Sequence, residues 1–547
     1  MADDKNRLCK KVLLHASIAA LLVFVVYVPS LTHGFVNLDD PGYVYESAFI
    51  RSIDPRLFFT SFIFSNWHPL TILSYAIDYS IWGLNPTGYH LTNNLLHAIN
   101  TSLVFVLAVA IFPPAASSGR EGAWTAGRAI AAARTRAPFR DAAALLFGLH
   151  PQHVESVSWV SERKDVLCGF FFILCVIEYL RYARTGRAAD YVLTLLLAAL
   201  ALMSKPMAVS LPVVLLIADF YPLKRIFTAP GEGGVSLWRA VVEKIPFAVL
   251  SVLVSIARVM AQAQDAGVRS LDVLPLAARV PVAVNAYAFY LYKALLPFGL
   301  IPLYRITPAV AGYSGVFIVS AATLAVLSAV ALVTARKRGF AAAWVYYLVT
   351  LVPVVGVVKA GGQFAADRYM YLPSIGLFLF IGWFAGGWFA GGLWATARRG
   401  SYAPKAGAAF VLALFAAMTF LTVRQQAVWK DSITLWSPVI RKYPAFAAAY
   451  GSRALGYEEL GRRREALADY SKAIELDPGS VKALNNRGNL YLKEGRFDDA
   501  ARDFVAAIRI DPGVPTVYYN LSRALSGLGE TGLALEAKRK AQELERR

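Results

Sequence analysis

Long apolar runs recur through the first 428 residues, and few architectures can absorb them. They fall at roughly 12–31, 91–112, 141–158, 166–180, 191–203, 207–221, 240–260, 280–300, 313–334, 340–358, 371–395 and 408–423. An α-helix needs about 20 apolar residues to cross a bilayer, since every backbone polar group must be satisfied inside the segment. Several runs fall short and read as short or broken helices in a thick bundle. The expected fold is all-α: a multi-pass transmembrane helical bundle of about 11–13 spans over residues 1–428, followed by a different domain over 429–547. The first run follows a basic stretch as a signal peptide would. It has no clear small-residue cleavage site and further spans follow, so it reads as an uncleaved first helix.

Composition agrees. Of 547 residues, 57% are hydrophobic and 17% charged, against about a quarter charged in soluble domains. A mainly soluble globular chain and a disordered one are both excluded. Three cysteines, Cys9, Cys168 and Cys175, make no disulfide framework. All seven histidines lie at or before His153, so no histidine cage involves the C-terminal half.

The formal charge is +19, but residues 445–547 are nearly balanced, with 17 Lys and Arg against 15 Asp and Glu. The basic excess sits in short loops between apolar runs: Lys5 to Lys11, Arg120 to Arg140, Arg181 to Arg187, Lys224 and Arg225, Arg336 to Arg338, and Arg398 and Arg399. That is the positive-inside pattern, not a nucleic-acid surface. It predicts a cytoplasmic N-terminus, with 32–90, 159–165, 204–206, 261–279 and 359–370 outside. The loop at Arg336 then falls on the wrong side unless Pro297, Pro302 and Pro308 mark a re-entrant or doubled segment, which is the expectation. It places the C-terminal domain outside.

Tyr443-Pro444, Asp477-Pro478 and Asp511-Pro512 recur every 34 residues. On that period Ala454, Gly488 and Ser522 coincide, as do Gly461, Gly495 and Gly529, and Ala473, Ala507 and Ala541. Small residues where two helices touch and proline after the second helix are the tetratricopeptide pattern. The expected array is a half-repeat at 432–444 and repeats at 445–478, 479–512 and 513–546, forming a superhelix that binds a polypeptide. Lys538, at the large-residue position held by Tyr470 and Phe504, marks a capping repeat.

The outer loop 32–90 is patterned unlike a linker: Gly34 to Tyr43, Asn66 to Thr71, then Asn85 to Asn93. Adjacent carboxylates Asp39 and Asp40 directly after a span are costly unless used. Four cations at ends of apolar runs, Arg163, Lys164, Lys205 and Arg368, break the charge rule on the outer side. They read either as an anion site or as snorkelling side chains paired locally, Glu162 with Arg163 and Asp367 with Arg368. His150 and His153 with Glu155 have weak metal spacing and no further ligand, and read as helix-end packing or acceptor contact. The Gly382–Gly392 tract lies in an apolar run and reads as close helix packing.

Taken together, Gly34 to Asp40, Trp67-His68-Pro69-Leu70-Thr71, Asn85 to Asn93, Leu149 to Val157, Ser161 to Asp165, Met203 to Pro206 and Asp367 to Ser374 resemble bacterial relatives of the transmembrane and tetratricopeptide-repeat O-mannosyltransferases, membrane glycosyltransferases of the GT-C class. The likeness covers nearly the whole chain and lapses in 261–312. It implies inverting transfer of a sugar, mannose for instance, from a polyprenyl-phosphate carrier to a hydroxyl, with protein Ser or Thr as acceptor, on the outer face. Asp39 and Asp40 map onto the family's acidic pair, as catalytic base. Partial desolvation at the membrane boundary raises a carboxylate pKa toward the useful range. Arg163, Lys164, Lys205 and Arg368 would bind the donor phosphate, which needs cations more than a proton donor. His68, His90, His150, His153 and Glu155 would line the acceptor pocket. No cofactor is required by the sequence, although a divalent cation at Asp39 and Asp40 fits the pair. Partners are then the lipid-linked sugar, the bilayer and a polypeptide held by the repeats. The competing function is a non-enzymatic membrane scaffold displaying the repeats. A lipid-linked-glycan transporter would need internal symmetry among its spans, which the sequence lacks.

Overall fold

A computed structural model describes residues 2–63, 66–112, 139–227, 234–264, 275–356, 363–397 and 403–546. The basic loop from Arg120 to Arg136 and the pair Arg398 and Arg399 lie outside the described residues. Among the described residues the chain is all-α apart from a short antiparallel pairing of Tyr304–Arg305 with Gln363–Ala365 and an isolated bridge between Ile63 and Asn66. Among the described residues five helices are long and apolar enough to cross a membrane: Cys9–Thr32, Pro86–Ile111, Val160–Thr185, Gly315–Val333 and Ala409–Trp429. Five shorter apolar helices accompany them: Ala188–Ser204, Pro206–Phe220, Ile245–Ala261, Gly339–Leu351 and Pro373–Ala385.

The run at 141–158 is not one helix. His150 is extended (ψ 126°), Pro151 opens a short 3-10 turn, and a separate helix covers Val154–Ser158. The residue before a proline is pushed out of the helical region, which is why the run breaks there.

The chain divides into two compact units, Met1–His33 with Asp39–Ala427, and Gly34–Leu38 with Val428–Arg547. In the first unit, cations close helix ends on one side. Arg184 donates to Ala110 O (2.7 Å), Arg140 to Phe112 O, and Arg338 to Phe220 O and Ile226 O. Unsatisfied carbonyls and the negative dipole end favour cations there. The same end holds a buried knot in which Asp219 takes Tyr179, Arg225 and Lys244. Arg338 therefore belongs with the Lys224–Arg225 loop. The chain arrives there because the helix Leu276–Leu295 is doubled back upon. Asn285 Nδ2 donates to Val310 O (2.9 Å) and Tyr313 Oη to Ala277 O (3.2 Å), so the next helix, Gly315–Val333, starts beside the first one's start.

Close packing explains the glycine tract where it is described. A Cβ on Gly382 would sit 2.8 Å from Phe139 O, and ahead of the tract one on Gly376 would sit 2.4 Å from Tyr346.

In the second unit the 34-residue period becomes helix pairs, Ala447–Glu459 with Arg463–Leu476, Val481–Lys493 with Phe497–Ile510, and Pro515–Gly527 with Thr531–Glu545. Gly461, Gly495 and Gly529 turn each pair at φ +71°, +72° and +81°, a region costly for other residues. Gly488 is small because a Cβ would meet Phe504 at 2.7 Å. A polar ladder repeats with the same period: Arg453 forks onto Asp469 and Arg487 onto Asp503. The equivalent third positions are Leu521 and Ala537, so the ladder ends where the array is capped. The helix Ser432–Lys442 opens with an Asp431–Thr434 capping box and leads into the array. Residues Gly34–Leu38 belong to this unit through Asn37. Its N–H donates to Ser432 Oγ (3.1 Å), its Nδ2 to Ser452 O (2.8 Å), and its Oδ1 accepts from Trp436 Nε1 (2.8 Å).

Candidate functional site

The site lies in the first unit, at the end of the helices opposite Arg338. Lys164 stands in the first turn of the helix Arg163–Thr185 and Lys205 directly follows the helix Ala188–Ser204. Arg368 is in the 3-10 turn Asp367–Met370 ahead of the helix Pro373–Ala397. One buried carboxylate gathers all three. Glu162 lies 3.2 Å from Lys164 Nζ, 3.1 Å from Lys205 Nζ and 3.2 Å from Arg368 Nε. Lys205 also pairs with Asp165 at 2.6 Å, and Arg368 with Glu155. Asp39 closes the group, 3.5 Å from Lys164 Nζ.

Aromatic faces wall the cations. Lys164 lies 4.9 Å from the Tyr43 ring centre, Arg368 5.4 Å from Trp159 and 4.9 Å from Tyr369. Such faces hold a cation without neutralising it. Burial pushes the Tyr43 hydroxyl up to about 12, so it stays protonated near neutrality. Its Oη is 3.2 Å from His68 Nε2. Burial, with Lys164 and Lys205 nearby, holds His68 well below its ordinary value and therefore neutral. Burial also raises Glu155 against the pull of Arg368, and raises Asp367, whose carboxylate accepts from Tyr304 Oη (2.9 Å).

The two acidic residues of the first loop separate in role. Asp39 keeps 40% of its side chain exposed. Asp40 is 1% exposed, and its carboxylate takes both the N–H (3.0 Å) and the hydroxyl of Ser161. Asp40 thus ties the loop to the turn that carries Glu162. Among the described residues no three His, Cys, Asp or Glu side chains converge on one ion site. Asp40 accepts from Ser161 and Asp39 faces Lys164, so each acid of the pair has a partner in the chain.

Arg163 departs from the expected phosphate set. Its side chain is fully buried and turned away from Lys164, paired with Asp78 at 2.6 Å and donating to Tyr89 O and Asn93 Oδ1. The local pairs read from sequence, Glu162 with Arg163 and Asp367 with Arg368, are not the ones made. Adjacent residues point to different sides of a helical turn, so Arg163 pairs with Asp78 and Arg368 with Glu155 and Glu162, while Lys164 reaches Glu162 two positions away.

The Asn85–Asn93 motif turns out to be scaffolding. Asn85 caps the helix Pro86–Ile111 by accepting from Thr87 N, Pro86 fills its first position, and Gly88 lets Trp82 lie against it. Thr92 donates to Asp78 (2.9 Å), completing the seat of Arg163. His90 is buried, its ring 5.9 Å from that of His33. His150 and His153 are buried packing residues: His150 Nε2 donates to Ala294 O (3.0 Å), and His153 bridges Phe147 O and Ser374 Oγ. None of these three lines the cation cluster. His68 stands beside it through Tyr43, and Glu155 is part of it. Glu162 and Asp165 were not singled out from sequence as site residues. The available signal was two acids within four residues of two outer cations.

A tetratricopeptide repeat family model matches residues 452–515 and 485–544. Curated relatives include Protein O-mannosyl-transferase Tmtc1 of Drosophila melanogaster, 29% identical over 200 residues, covering 35% of this chain and 21% of the relative. Tmtc2 of the same organism is 30% identical over 216 residues, covering 36% and 21%. Protein O-mannosyl-transferase TMTC4 of Homo sapiens is 38% identical over 120 residues, covering 22% and 15%. The chain spans about a fifth or less of the length of these relatives. It is thus an all-α chain with membrane-spanning helices and tetratricopeptide repeats, similar over about a third of its length to protein O-mannosyl-transferases.

Proposed function

We propose that this chain is a membrane glycosyltransferase that moves a sugar, mannose on the analogy of its relatives, from a polyprenyl-phosphate carrier to a hydroxyl of a protein Ser or Thr. The observation that carries the reading is the convergence of a part-exposed carboxylate, Asp39, with Lys164, Lys205 and Arg368 around the single carboxylate of Glu162. Buried charge is expensive, and a scaffold that merely displays repeats has no use for it. In the reaction Asp39 accepts the proton of the acceptor hydroxyl. The hydroxyl oxygen bonds to the anomeric carbon as the bond to the carrier phosphate breaks. The departing phosphate takes up negative charge, which Lys164, Lys205 and Arg368 stabilise. Glu162 holds three mutually repelling cations together until the donor arrives. The test is incubation of purified protein with a polyprenyl-phosphate sugar labelled in the sugar. Label appearing on protein hydroxyls supports the reading. Carrier left intact in the presence of acceptor protein sinks it.

The cations supply a further expectation. Lys205→Ala and Arg368→Ala should each raise the donor KM by about tenfold or more, because a charge-assisted contact to phosphate is worth about 1.5–3 kcal/mol. An unchanged KM in both variants would leave the cluster as a structural ion-pair network.

The repeats are proposed to lie on the outer side with Asp39, where a groove that presents acceptors is useful. A cysteine at Ser480, in a chain with Cys9, Cys168 and Cys175 replaced, checks it. Labelling of intact cells by a membrane-impermeant thiol reagent is the expected result. Labelling only after permeabilisation would put the repeats in the cytoplasm and end the acceptor-delivery idea.

A further inference from the structure

Within the Trp67–Thr71 motif, His68 stands beside the cations through Tyr43. Thr71 reaches them by another route. Pro69 opens the helix Pro69–Trp82, which places Thr71 in the first turn and Tyr75 four residues on. Residues four apart share a helix face, about 6 Å from each other along the axis. Both side chains are wholly buried. Thr71 Oγ1 donates to Ser204 O (2.9 Å) and Tyr75 Oη to Val160 O (2.9 Å). Ser204 directly precedes Lys205 and ends the helix Ala188–Ser204, where carbonyls have run out of intrahelical donors. Val160 opens the turn Val160–Glu162. Asp40 takes the next N–H of that turn, from Ser161 (3.0 Å). One helix face therefore spans the two segments whose side chains meet as Lys205 and Glu162, 3.1 Å apart. A lysine carries its charge on a flexible four-carbon stem, so where the ammonium lands depends on where the backbone is held.

We propose that Thr71 and Tyr75 are positioning residues: the face they share sets the separation of Lys205 from Glu162 and so presents Lys205 to the donor phosphate. The inference rests on the donor class given above. Both hydroxyls end on backbone carbonyls, so their effect on donor use passes through the side chains those backbones carry.

Thr71→Val keeps the shape and removes the hydroxyl, and Thr71→Ser keeps the hydroxyl. Tyr75→Phe leaves the ring that faces the Arg163 guanidinium (5.1 Å) and removes its hydroxyl. The first measurement uses no donor. Full-length protein in bilayer discs is treated with acetic anhydride, and acylation of Lys205 is followed by peptide mass spectrometry. Lys205 should react faster in Thr71→Val and Tyr75→Phe, and at the parent rate in Thr71→Ser. Lys244, held by Asp219 at the other end of the helices, should not change. The second measurement is binding of a tritiated polyprenyl phosphate to the same discs. Thr71→Val should weaken it by no more than Lys205→Ala does, about tenfold. Thr71→Val combined with Lys205→Ala should bind as Lys205→Ala does alone, because a residue that acts through Lys205 then has nothing to position. Additive losses in the double variant, or Thr71→Ser as weak as Thr71→Val, would make Thr71 a general structural contact and overturn the proposal. Unchanged acylation of Lys205 in both Thr71→Val and Tyr75→Phe would overturn it as well. Should Thr71→Val fail to fold, Tyr75→Phe carries both measurements. Faster acylation in the variants with no polyprenyl phosphate bound by the parent would fault the donor reading alone. Sugar transfer by the parent with acylation and binding unaltered in the variants would fault the positioning role alone.

Discussion

Asp39→Asn should lower the rate of sugar transfer by about 100-fold or more, the usual scale for removing a general base, with donor KM little changed. The asparagine keeps the size and polarity of the aspartate and removes its capacity to take the acceptor proton. Asp39 is the member of the acidic pair that an acceptor can reach, because it keeps 40% of its side chain exposed. Asp40→Asn should behave differently. Its oxygen still accepts from Ser161, so the loss should appear first in thermal stability and only then in rate. The measurement is single-turnover transfer from a labelled donor, with unfolding temperature recorded alongside. Full activity in Asp39→Asn would remove the base from this position, and equal loss in both variants at unchanged stability would show that the pair acts together.

Arg163→Met should destabilise the first unit by about 3–5 kcal/mol, the cost of leaving a buried partner charge uncompensated. The stranded group is Asp78, whose carboxylate faces the guanidinium at 2.6 Å with both side chains nearly inaccessible. Asn93 and the carbonyl of Tyr89 lose their donors as well. Replacing both charges, Arg163→Met with Asp78→Leu, should recover a good part of the loss, since an apolar pair of similar volume avoids the desolvation penalty. Thermal unfolding in detergent, read against the expression level of folded protein, separates these cases. If Arg163→Met is as stable as the parent but uses donor poorly, Arg163 belongs with the phosphate-binding cations after all. Lys164, one residue away, should give the opposite pattern, a kinetic defect on a stable fold.

Those two neighbours differ in a way that the chain itself does not record. Arg163 and Lys164 are indistinguishable by type, position and surroundings in the chain. The helix that starts at Arg163 points one toward the Asn85–Asn93 scaffold and the other toward Asp39. The same holds for the histidines. Their motifs stood out in the chain, but the fold spends His150 and His153 on backbone carbonyls where the apolar run breaks at Pro151.

Features that depend on period and composition are written along the chain. Apolar length specified spanning helices, because a bilayer leaves the backbone no other partner. The 34-residue period specified the repeats, because each helix pair buries its small and large positions against the next, with Gly461, Gly495 and Gly529 recurring where the pairs turn. Partnership between residues far apart in the chain is settled only on folding. Glu162 meets Lys205 and Arg368 across 43 and 206 positions, and Asn37 meets Trp436 across 399. Ion pairs and hydrogen bonds act over a few ångströms in space, and distance along the chain carries no record of which ends of which helices are brought together.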